Sequence, residues 1–392
     1  LFDVFSVASG AMISSGLFVL PAIIYDDAGP AIIISYLLAA LLILPSVLSK
    51  AELTTAMPRS GGTYFYVERS FGSLWGIFTG LANWFSLALK SAFAIVGMVL
   101  FLQLITNNLF DYQLAEWMMR LLAAACCIFF GLLNLVSVKS TTRFQNTLVL
   151  FLLAVLVVFL FWGAPSVSVD RYRPFMPRGW LAMLSTAGLV FISYGGLTTV
   201  DNVAEEVRHP GRNLPRGIIL AWALISTLYV AVVSVAIGVL HGPALRQSPM
   251  PISTAAKEFS GNWGFAILSL AALAAFLTTA NGGILSASRC PMSMSRDHLL
   301  PKWMSRLHPR FRTPCVSILF TCLFMTAALL TLDLERLVKT ASTLMILLFI
   351  LDNASVIVMR ESRIQSYRPR FRAPLSVSYT HLRAHETVLD LV

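Results

Sequence analysis

Runs of roughly 20 apolar residues recur along the chain with short basic gaps between them, and a run of that length matches the hydrocarbon thickness of a bilayer. Such runs have two fates, burial in a large soluble core or a crossing of lipid. Composition separates the two: 57% of the 392 residues are hydrophobic and 12% are charged, whereas a soluble domain carries roughly 25% charged residues. A soluble fold could not cover that much apolar surface. The pattern predicts an all-α integral membrane protein of one polytopic domain, with ten spans at 3–25, 29–49, 74–104, 118–136, 145–163, 181–205, 215–240, 263–287, 314–332 and 338–359. Strands of a membrane barrel would be about half as long and would alternate apolar with polar residues.

The basic residues set the expected orientation. With the N-terminus inside, Lys50, Arg59, Arg69, Lys139, Arg143, Arg212, Arg289, Arg296 and Arg310 fall in cytoplasmic loops, and the opposite side receives fewer, among them Arg120, Arg171 and Arg246. That bias follows the positive-inside rule and predicts a multi-pass protein of the cell membrane with a cytoplasmic N-terminus. The net charge of +10 sits in these gaps and not on an aromatic-interleaved face, so nucleic acid is not an expected partner. The five cysteines form no CxxC pair, and Cys126 and Cys127 lie inside an apolar run, which predicts free thiols and no metal site. Leu1 opens directly in an apolar segment without a basic leader, so no signal peptide is expected and the chain is expected to begin inside its gene product.

Ten spans divide into two sets of five, residues 1–163 and 181–360, and because five is odd the second set enters the membrane inverted. The first span of each set carries an interruption: Ser14-Ser15-Gly16 in one, Ser193-Tyr194-Gly195-Gly196 in the other. Matched interruptions of this kind mark the binding site of an inverted-repeat carrier. Non-helical backbone survives in hydrocarbon only where it is buried in protein or lines a wet cavity. Freed N–H groups suit a carboxylate and freed carbonyls suit an ammonium, so a zwitterionic amino acid matches both poles.

Four blocks in order carry a family likeness: Gly10 to Phe18 in span 1; Ala51-Glu52-Leu53 with Met57 to Tyr64; Tyr194-Gly195-Gly196 through Ala204-Glu205-Glu206 to Asn213-Leu214-Pro215; and Ser288-Arg289 through Leu300-Pro301 to Thr313-Pro314. Together they resemble the amino acid, polyamine and organocation permeases, which share a five-plus-five inverted-repeat core with the LeuT-type carriers, helices 1 and 6 being discontinuous. The resemblance implies secondary active transport of amino acids by alternating access, as symport or exchange, and no enzyme activity. It implies that the substrate carboxylate meets the main chain at Ser14, Ser15 and Gly16. The amino group would meet carbonyls near Ile13 and from Phe191 through Ile192 to Ser193, with Phe191 and Tyr194 lining the side-chain pocket beside Gly195. The chain departs from the family in two places. A coupling lysine known in span 5 of some members is replaced by the apolar Leu150-Phe151-Leu152-Leu153, and an eleventh span is absent after Pro374. Residues 361–392 are expected to form a basic cytoplasmic tail, of which 376–392 read as non-native.

Several polar groups within spans are candidates for coupling to H+ or Na+, the only co-substrates expected; no cofactor is. Lys90 lies mid-span, where an ionised side chain is costly, so it either pairs with Asp201 or titrates, as a buried lysine readily does. Thr278 and Thr279 fall where related folds place hydroxyl ligands for sodium, although a threonine in a helix also bonds back to its own carbonyls. Glu52, Glu205 and Glu206 are gating candidates at the cytoplasmic face, expected to pair with residues such as Lys50 or Arg59. The sequence lacks GxSxG and HExxH motifs. A polyamine or organic-cation carrier and a transporter-derived amino acid sensor are the alternatives; the first would want an acidic pocket, and the second would bind amino acid without moving it. The expected partners are therefore a small amino acid or amine and the lipid bilayer, with no oligomeric state implied.

Overall fold

The computed structural model describes residues 1–57, 61–110, 112–136, 141–207, 209–311, 313–362 and 367–374, and of residues 105, 108–110, 141–145 and 201–206 the main chain alone. Among them the regular structure is helical throughout. Eight stretches are long and apolar enough to cross a membrane, with Phe2–Met12 and Cys315–Thr331 as shorter apolar helices. The expected span 1 is in three pieces, α1 (Phe2–Met12), α2 (Ser15–Phe18) and α3 (Leu20–Ala28). A short 3-10 turn then leads into α4 (Ile32–Ala56), and α5 (Thr63–Phe71) precedes α6 (Ser73–Phe110). At 38 residues α6 is about 57 Å long and overshoots the hydrocarbon. Next come α7 (Glu116–Val136) and α8 (Thr141–Gly163).

The second half opens with α9 (Gly179–Tyr194), which tightens without a gap into a 3-10 helix, Gly195–Glu206. Then follow α10 (Pro210–Val239), the short α11 (Gly242–Gln247), α12 (Pro251–Arg296), α13 (Cys315–Thr331) and α14 (Leu334–Glu361). Several boundaries differ from expectation, α4, α6 and α12 running on to Ala56, Phe110 and Arg296, and two of the starts have a local cause. Span 7 starts five residues early because Pro210 occupies the first helical turn, where a missing N–H costs nothing. The loop expected before span 8 holds a helical segment that joins α12 through a bend at Gly261, whose φ of 62° is open to a residue without a side chain.

The core runs the length of the bundle. α6 packs most extensively against α12 and α14, α4 against α10 and α9, and α1 against α10, α8 and the 3-10 helix. α7 packs on α13, and α12 also meets α8 and α7. Burial separates an inner from an outer layer: α6 and α9 are covered, whereas α7 and α8 present Leu121, Phe129, Leu132, Leu150, Val158 and Phe161 outward. An apolar outer face of this extent is solvated by lipid.

Candidate functional site

The broken first span meets α9 and its 3-10 extension inside the bundle; the second expected interruption is a change of winding at Gly195 and not a break. α1 stops at Met12, Ile13 is extended (φ −73°, ψ 106°), and Ser14 (φ −158°, ψ −146°) leads into α2. Glycines permit the crossing. A Cβ on Gly16 would lie 2.8 Å from Ser193 Cα, and one on Gly196 would lie 2.8 Å from the Ala11 carbonyl oxygen. Either substitution would push the two main chains apart, so these glycines are where the two helices meet.

Freed carbonyls at the crossing have acceptable partners in two tyrosines that sequence reasoning missed. Tyr229 on α10 donates to Met12 O at 2.7 Å and reaches Ser193 O at 3.5 Å, so one hydroxyl bridges the two helices. Tyr36 on α4 donates to Gly16 O at 2.5 Å, where Ser193 Oγ also donates at 3.2 Å. The signal was available: a tyrosine deep in an apolar run, away from the interfacial belts, must find a carbonyl for its hydroxyl. Ser15 Oγ is buried without a partner among the described residues.

The remaining substrate-site candidates are buried around this point. Phe191 packs at 6.3 Å against Phe349 of α14, and Ile192 is enclosed. Tyr194 is edge-on to Tyr229 at 5.6 Å, and its hydroxyl reaches Tyr36 O at 3.4 Å. Gly195 faces the other way from Gly196: a Cβ there would meet Met345 and stand 3.1 Å from Lys90 Cδ. Lys90 is 4% exposed, and its Nζ has no hydrogen-bond partner among the described residues. The expected partner Asp201 lies where only the main chain is described. Thr279 Oγ1 donates across to Gly10 O of α1 at 3.3 Å, whereas Thr278 Oγ1 bonds back to Ala275 O at 3.0 Å. The two threonines therefore point to different places.

The end of the bundle where α4 meets α14 holds a second group of buried charges. Lys50 Nζ stands 3.2 Å from Asp352 Oδ2 on α14, and Thr63 joins the pair at 3.0 and 3.2 Å. Glu52 is fully buried and takes donors from three residues in two segments: Arg360 on α14, with Nε at 2.8 Å from Oε1 and Nη2 on Oε2, Tyr367 OH at 2.8 Å, and the Ala373 amide at 2.7 Å. Arg360 also donates to Ala373 O at 2.6 Å, and the Phe371 amide donates to Thr55 Oγ1 at 3.4 Å. Residues 367–374, expected as free tail, are thus docked onto the end of α4. Burial and then the Glu52 carboxylate hold the Tyr367 phenol far above its usual range. Nearby, Tyr64 OH donates to Asp297 Oδ2 at 2.5 Å, and burial followed by that bond raises the phenol likewise. Burial and then Asp297 raise the Glu68 carboxyl. The side chains of Glu205 and Glu206, and all of Arg59, lie outside the described residues. Among the described residues no cluster of three His, Cys, Asp or Glu could hold a metal ion.

A bundle of apolar helices whose broken first span packs through glycines against α9 and its 3-10 extension is consistent with a membrane carrier. The model of the amino acid permease family matches residues 1–381, and the chain belongs to that family, one of transporters and not of enzymes. The chain is 29% identical over 380 residues to the branched-chain amino acid permease of Bacillus subtilis (strain 168), a match covering 92% of this chain and 80% of the relative. It is 28% identical to the methylthioribose transporter of the same organism, covering 95% and 83%. It is also 28% identical to the large neutral amino acids transporter small subunit 2 of Oryctolagus cuniculus, covering 92% and 69%. Amino acid transport across a membrane is the activity this family carries.

Proposed function

We propose that the chain is a secondary carrier of amino acids in the cell membrane, working by alternating access on a five-plus-five inverted repeat with a cytoplasmic N-terminus. The observation that carries this reading is the glycine-mediated crossing of α1–α2 with α9 and its 3-10 extension, where main-chain carbonyls are held by hydroxyls that a substrate ammonium can replace. The substrate carboxylate would lie on the main chain of Ser14, Ser15 and Gly16, and the ammonium near the carbonyls of Ile13 and of Phe191 to Ser193.

Packing supports the repeat. Exchange of the two halves maps α4 on α9 to α10 on α1, α6 on α14 to α12 on α8, α6 on α13 to α12 on α7, and α14 on α4 to α8 on α10; all eight contacts are present. The residues of coupling would be Lys90, Asp201, Thr278 and Thr279, of which Thr279 is favoured over Thr278 by its reach to Gly10 O. Glu52 would act in the inner gate, because inward opening separates α4 from α14 and must break its bonds to Arg360. Glu205 and Glu206 share that layer in the sequence.

Uptake of labelled amino acids into proteoliposomes, with and without proton and sodium gradients, tests the reading. The expected result is saturable accumulation of at least one amino acid that an imposed gradient or internal amino acid enhances. Binding without flux would make the chain a sensor, and flux confined to polyamines would make it an organic-cation carrier.

A further inference from the structure

Four charged side chains are buried among the described residues: Lys50, Glu52, Lys90 and Asp352. Three have opposite charges at bonding distance, Lys50 with Asp352 and Glu52 with Arg360. Lys90 is the exception, with an ammonium that meets no hydrogen-bond acceptor. An isolated buried charge is strongly unfavourable, and in a membrane interior it marks a place where function supplies the counter-charge.

Its surroundings say where the counter-charge comes from. The lysine stem lies against Gly195, at the point where α9 tightens into the 3-10 helix, and Met345 meets the same face of that glycine. The neighbouring hydroxyls are engaged: Ser86 donates to Ala341 O at 3.3 Å and Ser342 to Leu189 O at 2.9 Å. The side chain of Asp201 lies outside the described residues. Ser193 contacts Gly16, whereas Gly195 faces α6 and α14. Lys90 thus lies against Gly195, two residues beyond the Ser193 that meets Gly16, where the carboxylate and ammonium of a substrate would be held.

We propose that Lys90 receives an anionic group at the end of the substrate's side chain, so that the solutes carried include dicarboxylic amino acids with a short aliphatic stem. This rests on the transport reading above and narrows its substrate class.

Glutamate and glutamine differ in that terminal group alone, which makes them the test pair. Wild type, Lys90→Gln and Lys90→Arg are reconstituted, and uptake of labelled L-glutamate and L-glutamine is measured in chloride and in gluconate. The expected result is glutamate uptake by wild type, with the glutamate-to-glutamine ratio of kcat/KM falling about 30-fold in Lys90→Gln, the size of a charged hydrogen bond, and largely kept in Lys90→Arg. Wild type that carries neutral amino acids but neither glutamate nor aspartate overturns the inference and leaves the transport reading standing. Equal loss of glutamate and glutamine in Lys90→Gln overturns it too, as does an effect that vanishes in gluconate, since the anion would then be chloride. Failure to move any amino acid removes both readings. Should Lys90→Gln not fold, competition of glutamate against glutamine in wild type and Lys90→Arg decides the same question.

Discussion

The buried charges around Glu52 and the buried charge at the helix crossing obey the same electrostatics and reach opposite solutions. At the end of α4 Glu52 collects donors from Arg360, Tyr367 and the Ala373 amide, and Lys50 meets Asp352 and Thr63. At the crossing Lys90 is buried too and meets no hydrogen-bond partner among the described residues. A saturated cluster holds elements together and resists change in the groups that compose it. An unsaturated charge is a vacancy that the protein maintains at a cost, and it is at such places that solutes and ions are handled.

Substitutions can break this contrast. The largest effect is expected for Arg360→Ala, which leaves Glu52 buried without its charge partner and should cost about 3–5 kcal/mol. Thermal unfolding in detergent reads it as a large drop, and the pair Glu52→Gln with Arg360→Met should recover most of the loss. Gly16→Ala comes next, since its Cβ would collide with Ser193 Cα. It should lower both stability and uptake by about 1–3 kcal/mol in equivalent terms, the range for overpacking. Tyr229→Phe removes one hydroxyl that bridges Met12 O and Ser193 O and should cost the empty carrier about 1 kcal/mol. Substrate affinity should then rise, because the ammonium satisfies carbonyls that have lost their donor; weaker binding would show that the hydroxyl is itself a ligand.

Lys90→Met sharpens the contrast by its sign. Removing an unpaired charge should leave the unfolding temperature unchanged or raise it, opposite to Arg360→Ala, and a drop of similar size would mean that Lys90 is paired after all. The smallest effect is expected at Glu68, whose carboxyl is raised by burial and by Asp297. A raised carboxyl means the folded state disfavours its ionised form, so the penalty is present at neutral pH, fades as pH falls through the raised folded-state range and is gone below the ordinary glutamate value near about 4.3. Glu68→Gln should give a small gain in stability at neutral pH that disappears in acid.

Much of the helical layout was legible because lipid imposes a length on every crossing, and the interruption at Ser14 was legible because serine and glycine stand out in an apolar run. The second interruption was only half legible. Gly195 and Gly196 mark its place, but α9 passes into tighter winding and not into an open gap, since Gly195 keeps a helical φ of −60°. The tyrosine caps and the Glu52 cluster were hidden for another reason: they join residues far apart in the chain, Glu52 and Arg360 being 308 positions apart. Pairing of that range depends on how helices are arranged in space, which local pattern does not encode. The tail from 367 to 374 looked like a solvated basic run, and what docks it is mainly main-chain amides and a carbonyl, groups every residue owns.

The docked segment lies across the seam between α4 and α14 and donates a peptide N–H to Glu52, so under the proposed alternating access the two helices part at this end only if it is peeled away. A spin label or fluorophore near Phe371 would then behave as a latch sensor, quiet while the inner door is shut and mobile each time a solute is released.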